Sequence, residues 1–349
     1  MRSKINIRLK QEAILRQRRR SKAKAKARRT NRKKRQHEPI IRNGYGSTYI
    51  KPSKVASLSS DFRIIENTET VIRELNNITN CRGNRQVEIR LHVDISDVIR
   101  FDIGALTCLL STLRFTRNYQ GNEPKDPACR KYFEDSGFLE WMRTIDGRKF
   151  PSTSSNNLIF EPGKDKTSNA KVGMEIKKAI KYLTQKDSPF PPVYSIIQEI
   201  CPNSIEHANI KSKDRNWLMG IRYEADKVCF VMVDKGQGIL KTLKKSTTQQ
   251  IGDAFNDDIR ILTRAFEKKY QSASEDENRN KGLPTIKHYC DLGYVNNMSV
   301  ITNGALLSLS DGNKSSRLGV EFAGTFYYWE ITKENFYKWK NKRNTCTSV

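Results

Sequence analysis

The spacing of hydrophobic and polar residues predicts an ordered set of helices and strands. Apolar residues at helical spacing predict helices over residues 68–78, 103–113, 129–142, 173–184, 193–208, 259–269 and 283–292. Alternating or short continuous apolar runs predict strands over residues 86–93, 217–223, 228–234, 294–302, 305–309 and 324–331. Residues 119–127 and 156–168 are predicted loops. Because helices and strands mix without a regular βαβ alternation, the fold class is α+β rather than a doubly wound parallel sheet.

Composition divides the chain into five segments. Residues 1–36 are a Lys/Arg-rich arm whose self-repulsion predicts disorder, and residues 37–61 have the Pro, Gly and Ser content of a linker. Residues 62–184 are predicted to form a smaller α/β domain. Residues 185–335 are predicted to form a second domain, and residues 336–349 a C-terminal tail.

Charge and cysteine content narrow the class of protein. The arm carries 17 Lys/Arg and one acid, Glu12, and so supplies +16 of the formal net charge of +26. The seven cysteines are scattered and contain no CxxC pair, which fits neither a zinc site nor a secreted disulfide framework. No apolar run approaches the roughly 18 to 20 residues that span a bilayer. We therefore expect a cytoplasmic protein with no membrane partner.

Three polar residues recur every fourth position in the predicted helix 193–208. Glu199, Asn203 and His207 therefore line one face, about a turn apart. An Asn oxygen suits Mg²⁺, and a Glu one turn earlier can orient or deprotonate water. Taken alone, the triplet is weak evidence, because polar residues at helical spacing most often form a solvated helix face. Pro202, inside the same helix, is expected to kink or weaken it.

A buried strand then delivers a carboxylate to a glycine-containing turn. The apolar run Val228 to Val233 leads into Asp234, which is followed by Gly236 and Gly238. An Asp at a strand end can accept a hydrogen bond from an exocyclic amine such as that of adenine, and glycines let the backbone pass close to a ligand. An ordinary Asp-Gly turn is the alternative for this piece alone.

Glu-x3-Asn-x3-His followed by Asp-x-Gly-x-Gly resembles the first two nucleotide-binding boxes of the Bergerat-fold (GHKL) ATPases. This superfamily includes gyrase-type, chaperone, histidine-kinase and mismatch-repair ATPases. The resemblance implies an α/β sandwich, a mixed sheet covered by helices, over residues 185–335. It implies that Asn203 binds Mg²⁺, that Glu199 activates water as the catalytic residue, that Asp234 reads adenine and that His207 plays a supporting part. The implied cofactors are ATP and Mg²⁺.

Two later segments resemble the remaining boxes of this family. Residues 280–286 match its glycine-rich phosphate turn in part, with Gly282 and Leu283 opening a helix whose N-terminus offers backbone N–H groups. Asn280 stands where the family usually has glycine. The polar stretch between Gly238 and Lys281 matches the mobile lid, and Gly324 with Thr325 resembles the final box. Residues 62–184 lie outside the resemblance and are only loosely similar to STAS-like domains.

Three functions follow from these features. The leading expectation is an ATP-binding, Mg²⁺-dependent ATPase or nucleotide switch with an unidentified protein partner in a bacterial regulatory or defence role. The second is a protein kinase of the anti-sigma type, acting on a separate partner. The third is an ATP-regulated nucleic-acid-binding protein, in which residues 1–36 contact phosphates without sequence preference. A homodimer stays open as an alternative.

Overall fold

The computed structural model describes residues 41–42, 48–49, 54–81, 91–114, 116, 119–144, 146–152, 155–162, 168–207, 217–246, 257–267 and 282–346. Within these ranges only the backbone is described for residues 41–42, 48–49, 202–207, 244–246 and 345–346. The predicted arm, residues 1–36, lies outside the described part. The chain divides into a unit over Met1–Lys51 and a unit over Pro52–Val349. In the first, strand β1 (Ile41–Arg42) pairs antiparallel with β2 (Thr48–Tyr49).

The second unit is built from strands and helices in the following chain order. The elements are β3 (Lys54–Ser57), β4 (Asp61–Phe62), α1 (Thr68–Asn80), β5 (Leu91–Asp94), β6 (Arg100–Phe101), α2 (Ile103–Leu113), β7 (Tyr119–Gly121), α3 (Pro127–Asp135), β8 (Leu158–Phe160), α4 (Asn169–Thr184), α5 (Pro191–His207), β9 (Trp217–Tyr223), β10 (Lys227–Asp234), α6 (Ile239–Ser246), α7 (Asp258–Phe266), α8 (Gly282–Asp291), β11 (Asn296–Ser308), β12 (Ser316–Thr332) and α9 (Lys333–Cys346). Short 3₁₀ turns span Phe138–Trp141 and Gly312–Lys314.

The largest sheet has five strands in the order β11-β12-β10-β9-β8. Its four pairings are all antiparallel, so the predicted mixed sheet is wrong for this sheet. The predicted mixture of helices and strands is confirmed, and the class is α+β.

Both faces of this sheet are buried, which explains why β10 is a continuous apolar run. Val228, Phe230 and Met232 join one core with helices α4, α5 and α8. The intervening Cys229 and Val231 join a second core with α1 and α2. Because side chains alternate between faces along a strand, a strand covered by helices on both sides is apolar along its interior, here from Val228 to Val233.

A separate three-stranded parallel sheet, in the order β3-β5-β7, lies beside the second core. Helices α1 and α2 connect its strands in sequence, as parallel strands require. Asp102 begins α2: its carboxylate accepts hydrogen bonds from the backbone N–H groups of Ala105 and Ile64. Helix α2 then packs on β9 and β10.

The domain boundary predicted between residues 184 and 185 falls between two helices, α4 and α5, that pack on each other. Strand β8, which precedes that boundary, pairs with β9. Helix α4 and strand β8 therefore belong to the same unit as α5 and β9, the unit from Pro52 onward.

Several local predictions differ from the structure. Strand β3 lies in the predicted linker, strand β8 in the predicted loop 156–168, and strand β7 in the predicted loop 119–127. These strands have three or four residues and form by pairing with distant neighbours, so local pattern does not reveal them. Much of the predicted tail 336–349 forms helix α9, whose Phe336 is buried against Phe190.

The described cysteines are all unbridged, as the sequence predicts. Where side chains are described, no helix combines the length and apolar character that a membrane crossing requires.

Candidate functional site

Four residues on neighbouring strands form one row across an end of the five-stranded sheet. Asp234 on β10 is paired directly with Trp217 on β9 and with Thr325 on β12, and Thr325 is paired with Thr302 on β11. Direct partners in antiparallel strands point their side chains to the same face. Trp217 belongs to the core that contains α5, so the row lies on the α5 side of the sheet.

All four members of this row are largely removed from solvent. The exposed fractions are 2% for Trp217, 8% for Asp234, 4% for Thr325 and 0% for Thr302. Carboxylate, hydroxyl and indole N–H groups are rarely buried unless a hydrogen-bonding partner is available to them. A polar row at the end of an otherwise apolar sheet face is therefore the strongest candidate site among the described residues.

Asp234 is held in place by its own turn. Its Oδ1 accepts a hydrogen bond from the backbone N–H of Gly236 at 2.7 Å. Burial, reinforced by the neighbouring Asp234 charge, raises the pKa of Tyr327. Tyr327 is two residues from Thr325 and belongs to the α5-side core. The carboxylate therefore faces the same layer as the helix that carries Glu199.

Asn303 fixes the turn that follows Asp234. Its Nδ2 donates to the backbone carbonyl of Gln237 at 3.0 Å, and its Oδ1 accepts from the backbone N–H of Lys241 at 3.3 Å. Gly238 has φ +83°, and a Cβ there would lie 2.5 Å from Asn303 Oδ1. Glycine is thus required both for backbone conformation and for close approach.

Gly324 performs the corresponding role on β12. Its φ is +109°, and a Cβ at this position would lie 2.0 Å from the carbonyl oxygen of Asp234. Any other residue would push β12 away from the end of β10. Thr302 adds a further tie, because its hydroxyl donates to the carbonyl of Gly324 and accepts from the backbone N–H of Ile239.

The predicted Glu-Asn-His triplet lies on α5, which runs through Pro202 to His207 as one helix. Glu199 is half-buried, and this burial raises the pKa of its carboxyl. Asn203 and His207 fall on the last turns of α5, where the backbone alone is described. Ile196, Ile197 and Ile200 of the same helix pack in the α5-side core, so the helix covers the face that carries the row.

Gly282 and Leu283 open α8, as predicted, and α8 packs directly on α5. Leu283 is partly buried against the α5-side core. The preceding Asn280 and Lys281 lie outside the described residues, as do residues 247–256 and 268–280 of the predicted lid. The rest of that predicted lid contains helices α6 and α7.

The structure thus gathers Asp234, Gly236, Gly238 and Thr325 at one end of the sheet. It sets the helices carrying Glu199 and Gly282 side by side on the adjoining layer. Trp217, Thr302 and Asn303 belong to the same site and are absent from the sequence prediction. Only strand register reveals them, although the polar pair Thr302-Asn303 inside an apolar strand is a usable signal.

Trp217 carries a buried polar atom that has no partner in the described part of the chain. Its indole nitrogen is buried and donates no hydrogen bond to any described residue. Trp329 shares this property but stacks on Phe230, with 5.5 Å between ring centroids, well inside the core. A buried, unpaired donor beside a carboxylate is an arrangement that a ligand with an adjacent acceptor would satisfy.

Where side chains are described, no three His, Cys, Asp or Glu residues come together as a metal-binding group. No protein-family model matches the chain, and comparison with curated proteins gives no significant match.

Proposed function

We propose that this protein binds ATP with Mg²⁺ through the row at the end of the five-stranded sheet, in the manner of the Bergerat-fold ATPases. The row of Asp234 with Trp217, Thr325 and Thr302, buried on the face covered by α5, carries this assignment. It combines an acceptor, a donor and hydroxyl groups in one place, as recognition of a purine edge requires.

The base lies against Asp234 and Trp217. The Asp234 carboxylate accepts a hydrogen bond from the exocyclic amine of adenine. The indole N–H of Trp217, unpaired in the structure, donates to an acceptor on the same base. The Trp217 donor and the Asp234 acceptor together distinguish adenine from guanine. Guanine has a carbonyl oxygen at its six-position, and an anionic carboxylate cannot bind that oxygen.

The triphosphate extends toward α5 and the N-terminus of α8. Helix α8 begins at Gly282, so the backbone N–H groups of Gly282 and Leu283 point out of its N-terminus toward the phosphates. Asn203, one turn from Glu199, holds the metal ion, for which an amide oxygen is a suitable ligand. When bound, Mg²⁺ neutralises phosphate charge. His207 supports the end of this helix.

Glu199 activates water for hydrolysis. Its half-buried position raises the pKa of its carboxyl above the ordinary value, which makes it a better proton acceptor than an exposed glutamate. The protein acts as an ATPase or nucleotide switch. Closure over the nucleotide changes the surface that a protein partner recognises.

Calorimetric titration of the full chain with ATP tests the base-binding role. Asp234→Asn should abolish detectable binding, because the amide presents a donor where the adenine amine needs an acceptor. Asp226→Asn is the matched control: Asp226 is exposed in the turn at the other end of β10, and its variant should bind like the parent. Equal affinity of Asp234→Asn and the parent would remove the site.

A further inference from the structure

The solvent side of two helices far along the chain from the basic arm is strongly cationic. Helix α4 and the residues just after it expose five lysines. We call these residues the lysine face: Lys171, Lys177, Lys178, Lys181 and Lys186.

The single acid of α4, Glu175, balances only one of these charges. It is buried, and its carboxylate pairs with Lys178 at 2.9 Å. Among the described residues no carboxylate lies within ion-pair distance of Lys177, Lys181 or Lys186. Unneutralised like charges on one surface repel each other. Binding of a polyanion, whose negative charges lie close to the lysines, relieves this repulsion.

The two helices form one continuous surface. Helix α9 packs on α4, and Lys186 Nζ lies 5.5 Å from the centre of the Tyr337 ring on α9. Farther along α9, the Arg343 guanidinium lies 5.9 Å from the Trp339 ring. Cations resting on partly buried aromatic rings are held in place while they remain accessible.

The surface is concave on α4. A depression of about 470 Å³ is lined by residues of this helix, including Lys177, Lys178 and Lys181. Lys177 and Lys181 are one turn apart, about 6 Å along the axis. Asn169, Gly173 and one acid, Asp187, also line the depression, so three lysines face a single carboxylate there.

We infer that the lysine face binds the phosphate backbone of nucleic acid, without sequence preference and independently of the ATP site. Lysine ammonium groups contact phosphates as point charges, and phosphate contacts carry no sequence information. An anionic membrane fits less well. The apolar residues Val172, Ile176 and Ile180 of α4 are buried in the core, so α4 has no hydrophobic stripe to insert into lipid.

Fluorescence anisotropy of the full chain with a labelled DNA duplex, measured at several salt concentrations, tests this inference. The variant is Lys177→Gln/Lys181→Gln/Lys186→Gln. Each lost phosphate contact should reduce the slope of log affinity against log salt by about 0.9, so the triple variant should be shallower by about 2 to 3. The arm is present in both proteins, so its contribution cancels.

The matched control is Lys125→Gln/Lys131→Gln/Lys314→Gln, which removes the same charge from lysines whose side chains are 72%, 77% and 72% exposed elsewhere. It should leave the slope within about 0.5 of the parent. Equal slopes for the two triple variants would overturn the inference. So would a face variant that binds DNA like the parent but loses binding to poly-glutamate or to phosphatidylserine vesicles.

Discussion

Asp234 and Thr325 are direct partners in the antiparallel pairing of β10 with β12, and both are buried on the face covered by α5. Gly324 makes the pairing close, since its backbone adopts φ +109° against the Asp234 carbonyl. The carboxylic acid residue at the end of β10 and the hydroxyl residue on β12 therefore lie side by side, although they are far apart in the chain. The ligand proposed for this site would contact both groups.

Trp217→Phe should weaken ATP binding while preserving the fold. Phenylalanine retains an aromatic ring in the core but removes the indole N–H that we assign to the base. We expect affinity to fall roughly fivefold to twentyfold, the value of about one hydrogen bond. Competition with a fluorescent ATP analogue measures the change.

Trp329→Phe is the control for that variant. It removes an equally buried, equally unpaired indole N–H. Trp329 lies four residues beyond Thr325 on β12, about 13 Å along the strand. Its variant should bind ATP like the parent. If both variants lose affinity equally, the effect of Trp217 comes from core packing rather than from a contact with the base.

Glu199→Gln should retain ATP binding and lose hydrolysis by at least a hundredfold, because the amide cannot accept a proton. The parent should lose turnover as pH falls through the pKa of Glu199, since only the carboxylate is a base. Burial raises that pKa, so the acid limb should lie above the range of an exposed glutamate. Steady-state phosphate release across pH measures both effects.

Glu123→Gln serves as the comparison, because Glu123 is exposed on the loop before α3. Its rate and acid limb should match the parent. Full turnover in Glu199→Gln would assign water activation to another group.

Asn303→Ala should loosen the turn after Asp234. The hydrogen bonds with Gln237, Lys241 and Thr302 are lost, and alanine must adopt the left-handed φ of 51°. We expect unfolding free energy to fall by about 2 to 4 kcal/mol. Asn303→Gly loses the same hydrogen bonds without the backbone penalty and should be about 1 kcal/mol more stable than the alanine variant. Denaturant unfolding distinguishes the two, and equal stability would show that backbone strain is negligible.

Asp102→Ala should destabilise the chain by about 2 to 4 kcal/mol, because it removes the cap of α2 and leaves buried N–H groups of Ala105 and Ile64 unpaired. Burial raises the pKa of Asp102 to about 7, against about 4 in the unfolded chain. The folded state therefore binds the proton more tightly, and this contribution to stability declines as pH rises from about 4 to 7.

Asp102→Asn tests that pH dependence separately from the cap. The amide does not titrate, so its stability should change less than that of the parent across the same pH range. Urea unfolding at pH 5 and pH 8 measures the difference. An unchanged pH dependence in Asp102→Asn would assign the effect to other groups.

Much of the central sheet could be predicted from local pattern. The predicted strands at 217–223 and 228–234 match β9 and β10 within a residue, and the predicted helix 103–113 matches α2. These segments are mostly apolar because most of their residues are buried, and burial leaves a strong local signal. Strands β7 and β8 have three residues each, too few for a periodic pattern to show, so only their pairing partners define them.

The sequence by itself determined the elements and the chemistry available to them: an acid at the end of a buried strand, glycines after it, and polar residues at helical spacing on α5. Only the tertiary structure decided which residues stand beside Asp234. Strand register is set by pairing between segments far apart in the chain, and a shift of one residue would turn Trp217, Thr325 and Thr302 to the opposite face.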